Sequence, residues 1–231
     1  MESPVRYEVD DGVATVTMDD GKVNALSPAM LAAVNGALDR ADDDAAVVVL
    51  RGREGTFSAG FHLGTLRAGG PDATGMVREG FELAARLLSF PRPVVVACTG
   101  HAVAMASFLL LSGDLRLGAA GPFRIQANEV AIGLTMPRAA IELCRQGLTP
   151  AAFSRVVLLS EPFTPDEAVA AGFLDRVVGP SALDEAARTA AVALMALDAE
   201  AHASSKRRAR EGTLRAIQAA IADDAAELAS A

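Results

Sequence analysis

Two runs constrain what this chain can fold into more than any other feature: Val47-Val48-Val49-Leu50 and Val94-Val95-Val96-Ala97. A strand with one wet face alternates apolar and polar residues. A strand with no polar position has to be covered on both faces, as in a parallel sheet flanked by helices. The intervening sequence supplies such cover. A helix predicted over 75–89 carries Met76, Phe81, Leu83, Ala84, Leu87 and Leu88, and Pro91 and Pro93 end it. Residues 114–118 and 173–178 read as further strands, and 104–111 as a short apolar helix. Strands alternating with helices give an α/β fold with parallel pairing.

The remaining elements carry local signals. Strands over 7–10 and 13–18 flank Asp11-Gly12, a hairpin dipeptide. Ser27 N-caps a helix with Pro28 in its first turn, and Met30, Leu31, Val34 and Leu38 recur along it at helical spacing. Thr164 caps another, Pro165, Asp166 and Glu167 fill its positive end, and Gly172 closes it. From Ser181 onward the composition is almost purely helical, with helices over 181–197 and 201–229. The 231 residues therefore divide into a core over 1–180 and a helical C-terminal region over 181–231.

Charge and residue usage exclude several classes of function. A formal net charge of −8 argues against nucleic acid as a partner, because phosphate contacts need a basic surface. The one basic cluster, Lys206, Arg207, Arg208 and Arg210, reads either as a solvated helix face or as a contact to the phosphates of a nucleotide-bearing substrate. Cys98 and Cys144 are isolated, and His62, His101 and His202 lack metal-ligand spacing, so no metal site is expected. No apolar run reaches the about 20 residues that span a bilayer, and the acidic N-terminus has no signal-like apolar stretch. A cytoplasmic protein that does not bind membranes is the expectation.

Two turns rich in small residues follow buried strands. They are Thr56-Phe57-Ser58-Ala59-Gly60-Phe61-His62-Leu63 and Thr99-Gly100-His101-Ala102-Val103-Ala104-Met105-Ala106. Small residues let a backbone approach a ligand and present free N–H groups, and the second turn also opens an apolar helix. Two convergent N–H donors are what an oxyanion hole requires. On pattern alone, glycine-bearing turns after strands usually serve only chain geometry.

The segment FSAGFHL resembles the crotonase motif FxAGxDL, and CTGHAVAMASFLLLSGD resembles its partner xNGxAxGGGxxLxxxCD. Matches at VNALS, NEVAIGL and FTPDEAVAAGFLDRVV keep the same order, over about residues 5–180. The chain is identified on these motifs as a member of the crotonase (enoyl-CoA hydratase/isomerase) family. The resemblance implies a spiral of strand–strand–helix units with a helical C-terminal appendage, usually assembled as trimers or dimers of trimers. It implies an acyl-CoA thioester as substrate, with no cofactor beyond the coenzyme A that the substrate carries.

Residue by residue, the resemblance makes the backbone N–H groups of Phe61 and Met105 the oxyanion-hole donors. Ala104-Met105-Ala106 stands where the family has a glycine run. Of the two glutamates that hydratases use, one falls on Phe108 and is lost, and the other falls on Glu129. Val23 and Ala25 lie where relatives hold the adenine end of coenzyme A, and Ala59 and Gly60 lie beside the thioester. Leu63, Phe108 and Leu134 would line an apolar acyl pocket. His62 replaces an aspartate and reads as a partly buried, hydrogen-bonded residue or as an auxiliary base, and Asp114 reads as structural.

Three readings stay open. The first is an enoyl-CoA isomerase with Glu129 as its single acid–base. The second is a hydratase in which His62 or a water replaces the lost carboxylate. The third is a non-catalytic acyl-CoA-binding protein.

Overall fold

The computed structural model describes residues 3–230; residues 1–2 and 231, at the ends of the two predicted regions, lie outside it. Strands β1 (Val5–Asp10) and β2 (Val13–Met18) form the expected hairpin, with Asp10 opposite Val13. Helix α1 (Pro28–Asp43), β3 (Val47–Arg51), β4 (Gly55–Ser58), α2 (Leu63–Ala68) and α3 (Gly70–Ser89) follow. Then come β5 (Val94–Cys98), β6 (Gly100–Val103), α4 (Met105–Leu110), β7 (Leu115–Ala119) and β8 (Ile125–Gln126). Helices α5 (Arg138–Gly147), α6 (Pro150–Leu159) and α7 (Pro165–Ala171), strand β9 (Arg176–Val178), and helices α8 (Leu183–Leu194) and α9 (Ala199–Ser230) complete the chain.

The larger sheet runs β1-β2-β3-β5-β7-β9, parallel except for the hairpin. The two valine runs lie side by side in it, Val48 opposite Val94 and Leu50 opposite Val96. Their side chains alternate between two cores. Val48, Leu50, Val94 and Val96 join α1 and α3 on one face. On the other, Val47, Val49, Val95 and Ala97 meet Leu183, Ala187 and Ala191 of α8. Both faces are therefore dry, as an uninterrupted apolar run demands. Each fully buried valine or leucine contributes about 1.5–3 kcal/mol relative to exposure.

A second sheet, β4-β6-β8, is wholly parallel, and β4 and β6 fall largely in the runs 56–63 and 99–106 that read as turns in the sequence. Its strands are only four, four and two residues long and hold glycine, serine, threonine and histidine. No hydrophobic period can show over such lengths. Strand β9 is shorter than expected because Phe173 and Leu174 still belong to the end of α7, both donating their N–H to Ala168 O.

The basic cluster of α9 is a solvated face only in part, because Lys206 and Arg210 turn inward onto a carboxylate. Lys206 Nζ lies 2.6 Å from Asp114 Oδ2, and Arg210 reaches Asp114 Oδ1 at 2.8 Å and Leu88 O at 3.0 Å. Asp114 also accepts from Val94 N at 2.8 Å, so one carboxylate ties α9 to the start of β5. Arg207 and Arg208 remain in solvent. Farther along α9, Asp224 accepts from Arg138 N and Ala139 N, capping the positive end of α5.

Candidate active site

The three strands of the small sheet point the same way, with Gly55 level with Gly100 and Val103 level with Gln126. Their C-terminal ends share one edge, the position where parallel sheets present ligands. One candidate follows each strand: Phe61 three residues past Ser58, Met105 two past Val103, and Glu129 three past Gln126.

The turn after β4 is a short parallel bridge to residue 26. Leu26 N donates to Gly60 O at 2.8 Å and His62 N donates to Leu26 O at 3.3 Å. Alternate amides of an extended segment face opposite ways, so the Phe61 N–H faces away and meets no acceptor among the described residues. Gly60 has φ +84° and lies against the second turn. A Cβ there would come within 2.8 Å of Val103 O and 3.2 Å of Met105 N. Only glycine allows that approach. The turns carrying Phe61 and Met105 are thus in contact.

Polar side chains that sequence reasoning passed over hold the first turn. Gly60 N donates to Ser58 Oγ at 3.1 Å, and Ser58 Oγ donates to Asn24 O at 2.6 Å. Asn24 is buried and donates Nδ2 to Met18 O at 2.9 Å and Phe57 O at 3.1 Å. A serine two positions before the motif glycine was the available signal.

The second turn enters α4 through Ala104, at φ 52° and ψ −128° with no side-chain cap bond. Positive φ in a residue with a Cβ stores strain of about 1–3 kcal/mol. Met105 is the first residue of α4, where backbone N–H groups have no intrahelical partner, and its own meets no acceptor among the described residues.

Glu129 is 8% exposed, and its Oε2 accepts no hydrogen bond among the described residues. Burial pushes its pKa from 4.5 up to about 7, against a smaller lowering by its own backbone N–H. It is not an exposed loop carboxylate. Cys144 of α5 lies within its field, and burial first and Glu129 second push that thiol up to about 12. The Glu129 turn is pinned by Leu134 N donating to Glu129 O at 2.9 Å and by Ala131 N donating to Ser160 Oγ at 3.2 Å. Asn128 Oδ1, beside it in sequence, is likewise buried without a donor among the described residues.

The other sequence candidates divide by exposure. Val23 and Ala59 are joined by Ala59 N donating to Val23 O at 3.0 Å and are both exposed. The backbone of Ala25 is already engaged, its N–H on Asp20 Oδ2 at 3.1 Å and its carbonyl accepting from Ser27 N at 2.8 Å. Leu63 and Leu134 stand 53% and 50% exposed, whereas Phe108 is closed into the core at 1%, its ring 6.2 Å from that of Phe81. His62 is exposed rather than partly buried, and it N-caps α2: Thr65 N donates to its Nδ1 at 3.2 Å. His101 Nδ1 accepts from Arg124 N at 3.0 Å. Among the described residues no group of three His, Cys, Asp or Glu is placed to hold a metal, and no helix is long and apolar enough to cross a membrane.

Comparison with known proteins bears on the family and the fold. The family model described as enoyl-CoA hydratase/isomerase matches residues 8–230. An enoyl-CoA hydratase/isomerase family protein from Pseudomonas syringae superposes with a TM-score of 0.96 at 47% identity, over 97% of this chain and 98% of that one. A Mycobacterium tuberculosis protein, called an enoyl-CoA isomerase in one structure and a probable enoyl-CoA hydratase in another, superposes with a TM-score of 0.94 at 48% identity, over 98% of this chain and 100% of that one in the first. The spiral fold implied by the sequence motifs is thereby shown. A probable enoyl-CoA hydratase of Rhodobacter capsulatus is 35% identical over 125 residues, 53% of this chain; the match spans about half of that relative, 49%.

Proposed function

The chain belongs to the enoyl-CoA hydratase/isomerase family, and we propose that within it the protein is a 3-enoyl-CoA to 2-enoyl-CoA isomerase that works with one carboxyl group, Glu129. The observation that carries the proposal is Glu129 itself: a buried carboxyl with a free oxygen and a pKa near neutrality, on the same sheet edge as two unpaired N–H donors. A carboxyl of that pKa can both take and return a proton at neutral pH.

In the proposed step, ionised Glu129 removes a proton from C2 of the acyl chain. The electron pair of that C–H bond spreads over C2, C4 and the thioester oxygen, where the N–H groups of Phe61 and Met105 hold the negative charge. Glu129 returns the proton to C4, and the C3–C4 double bond becomes a C2–C3 double bond. Loss of one such donor costs roughly 3–4 kcal/mol of transition-state stabilisation. The electrons and protons balance without a metal or redox cofactor; coenzyme A enters only as part of the substrate.

Hydration needs a second group to hold and deprotonate water. The position that would supply it is Phe108, which cannot ionise, and His62 spends Nδ1 on capping α2. That favours isomerisation over an atypical hydratase. The M. tuberculosis neighbour at 48% identity bears both names, enoyl-CoA isomerase and probable enoyl-CoA hydratase, so the choice rests on Phe108 and His62. Val23 and Ala59 at the exposed mouth, with Gly60 behind, are proposed to contact the coenzyme A arm, and Leu63 and Leu134 the acyl chain. Assembly as a trimer or dimer of trimers, in the cytoplasm, belongs to the same proposal. The test is to offer a 3-enoyl-CoA and a 2-enoyl-CoA separately. Double-bond migration without formation of the 3-hydroxy ester is expected. Net hydration would sink the isomerase reading, and failure of either ester to bind would sink both enzymatic readings.

A further inference from the structure

Gly80 stands in the middle of α3, a 20-residue helix, and is buried. Its φ is not positive, so no turn requires it there, and a glycine inside a helix costs about 1 kcal/mol relative to alanine. Its neighbours explain it. A Cβ on Gly80 would lie 2.4 Å from Cε1 and 2.6 Å from Cζ of Phe61, and 3.7 Å from Cγ of Met105. This bare position on α3 therefore lies against the side chains of both residues whose N–H groups face the proposed oxyanion.

The Phe61 ring is seated by this gap. It is half-buried and meets Phe81, the next residue of α3, edge-on at 6.1 Å between centroids. Phe81 in turn packs on Phe108 at 6.2 Å. The ring cannot retreat inward, because Phe81 and Phe108 are both 1% exposed and closed into the core. An added methyl on α3 would instead push the ring outward by about 1 Å to reach ordinary contact. The backbone of residue 61 is pinned by the Leu26 bridge and follows Gly60, which is wedged against the second turn, so an outward push on the ring strains that backbone.

We infer that Gly80 is a positioning residue for the oxyanion hole: by leaving room for the Phe61 ring it sets where the Phe61 N–H points. The inference rests on the isomerase reading only through the two donors. It applies to any reaction in which they hold a thioester oxygen.

The test pairs Gly80→Ala with Gly80→Ala/Phe61→Leu, whose shorter side chain clears the added methyl, and with Phe61→Leu as the reference. Two quantities are read: the kcat and KM for a 3-enoyl-CoA, and the infrared carbonyl stretch of a bound saturated acyl-CoA, which reports polarisation by the donors whether or not turnover occurs. In Gly80→Ala, kcat should fall tenfold or more, with about a hundredfold as the scale for a 1 Å misplacement. KM should change little, and the carbonyl stretch should lose most of its shift to lower frequency. The double variant should return to the level of Phe61→Leu in both.

A Gly80→Ala protein with unchanged kcat and unchanged carbonyl shift would overturn the inference, and so would a double variant no better than Gly80→Ala. If Gly80→Ala fails to fold, the double variant still decides: folded with the Phe61→Leu carbonyl shift it supports the inference, and unfolded it overturns it. An unshifted carbonyl in the unaltered protein would refute the oxyanion-hole reading itself, which is a different result from an unchanged Gly80→Ala.

Discussion

Replacing Glu129 by glutamine should make the protein more stable at alkaline pH while removing its isomerase activity. Glutamine has nearly the shape of a protonated glutamate, so the variant differs from the unaltered protein mainly where Glu129 is ionised. Burial holds the folded-state pKa at about 7 against an ordinary 4.5. Between those values the folded chain keeps a proton that the unfolded chain releases, so stability falls as pH rises from about 4.5 to about 7 and then levels off. Each pKa unit corresponds to about 1.4 kcal/mol, so the ionised carboxyl costs the fold about 3 kcal/mol above neutrality. Glu129→Gln should therefore match the unaltered protein near about pH 4 and exceed it by up to about 3 kcal/mol at about pH 8. For a chain of this length that is roughly 6–12 °C in melting temperature. Thermal unfolding of both proteins across that pH range, with isomerase assays alongside, reads both halves. A variant no more stable at the alkaline end, or one with the same pH dependence of stability as the unaltered protein, would refute the claim that Glu129 ionises in a desolvated site.

Further outcomes follow from the same structure. The pH profile of kcat/KM for a 3-enoyl-CoA should rise through an apparent pKa near 7, because only ionised Glu129 can take the C2 proton; a plateau extending down to about pH 5 would exclude it as the base. Asp114→Asn should cost about 3–5 kcal/mol in urea unfolding, since Lys206, 7% exposed, would be left as a buried charge without its partner; a loss under about 1 kcal/mol would show that solvent reaches it. Ala104→Gly should leave activity intact and change stability by no more than about 1 kcal/mol toward loss, because relief of the φ 52° strain offsets the entropy of glycine; a larger loss in thermal unfolding would mean that Ala104 is not strained. Phe108→Glu, the substitution the family pattern suggests for restoring hydration, should destabilise by at least about 3 kcal/mol without producing hydratase activity, because its carboxylate would replace a ring 1% exposed; a stable, hydrating variant would mean that this side of α4 opens to water.

The valine runs were legible because burial on both faces removes every polar residue, a pattern that few other settings produce. The caps at Ser27 and Thr164 were legible because they depend on adjacent residues alone, and both side chains accept the expected first-turn N–H. The small sheet was hidden by its brevity. Asp114 with Lys206 and Arg210 joins residues about ninety positions apart, and no local pattern records such a meeting. Within the site, Phe61, Met105 and Glu129 could be named because the motifs that carry them resemble those of the family, although the strands they follow were hidden. Gly80 could not. Its meaning lies in the ring it faces, and in sequence it is only a helix glycine. The burial of Glu129 was equally invisible, as Asn128-Glu129-Val130 would suit an exposed turn just as well.

The central claim is that one carboxyl group carries the proton from C2 to C4. The most direct measurement uses a 3-enoyl-CoA deuterated at C2, in ordinary water, stopped at early turnover, with the deuterium content at C4 of the 2-enoyl product read by mass spectrometry. Part of the label should appear at C4 and none of the product should carry added water. Glu129→Gln should form no product. Label lost entirely to solvent from the first turnover, or product formed by Glu129→Gln, would contradict a single shuttling glutamate.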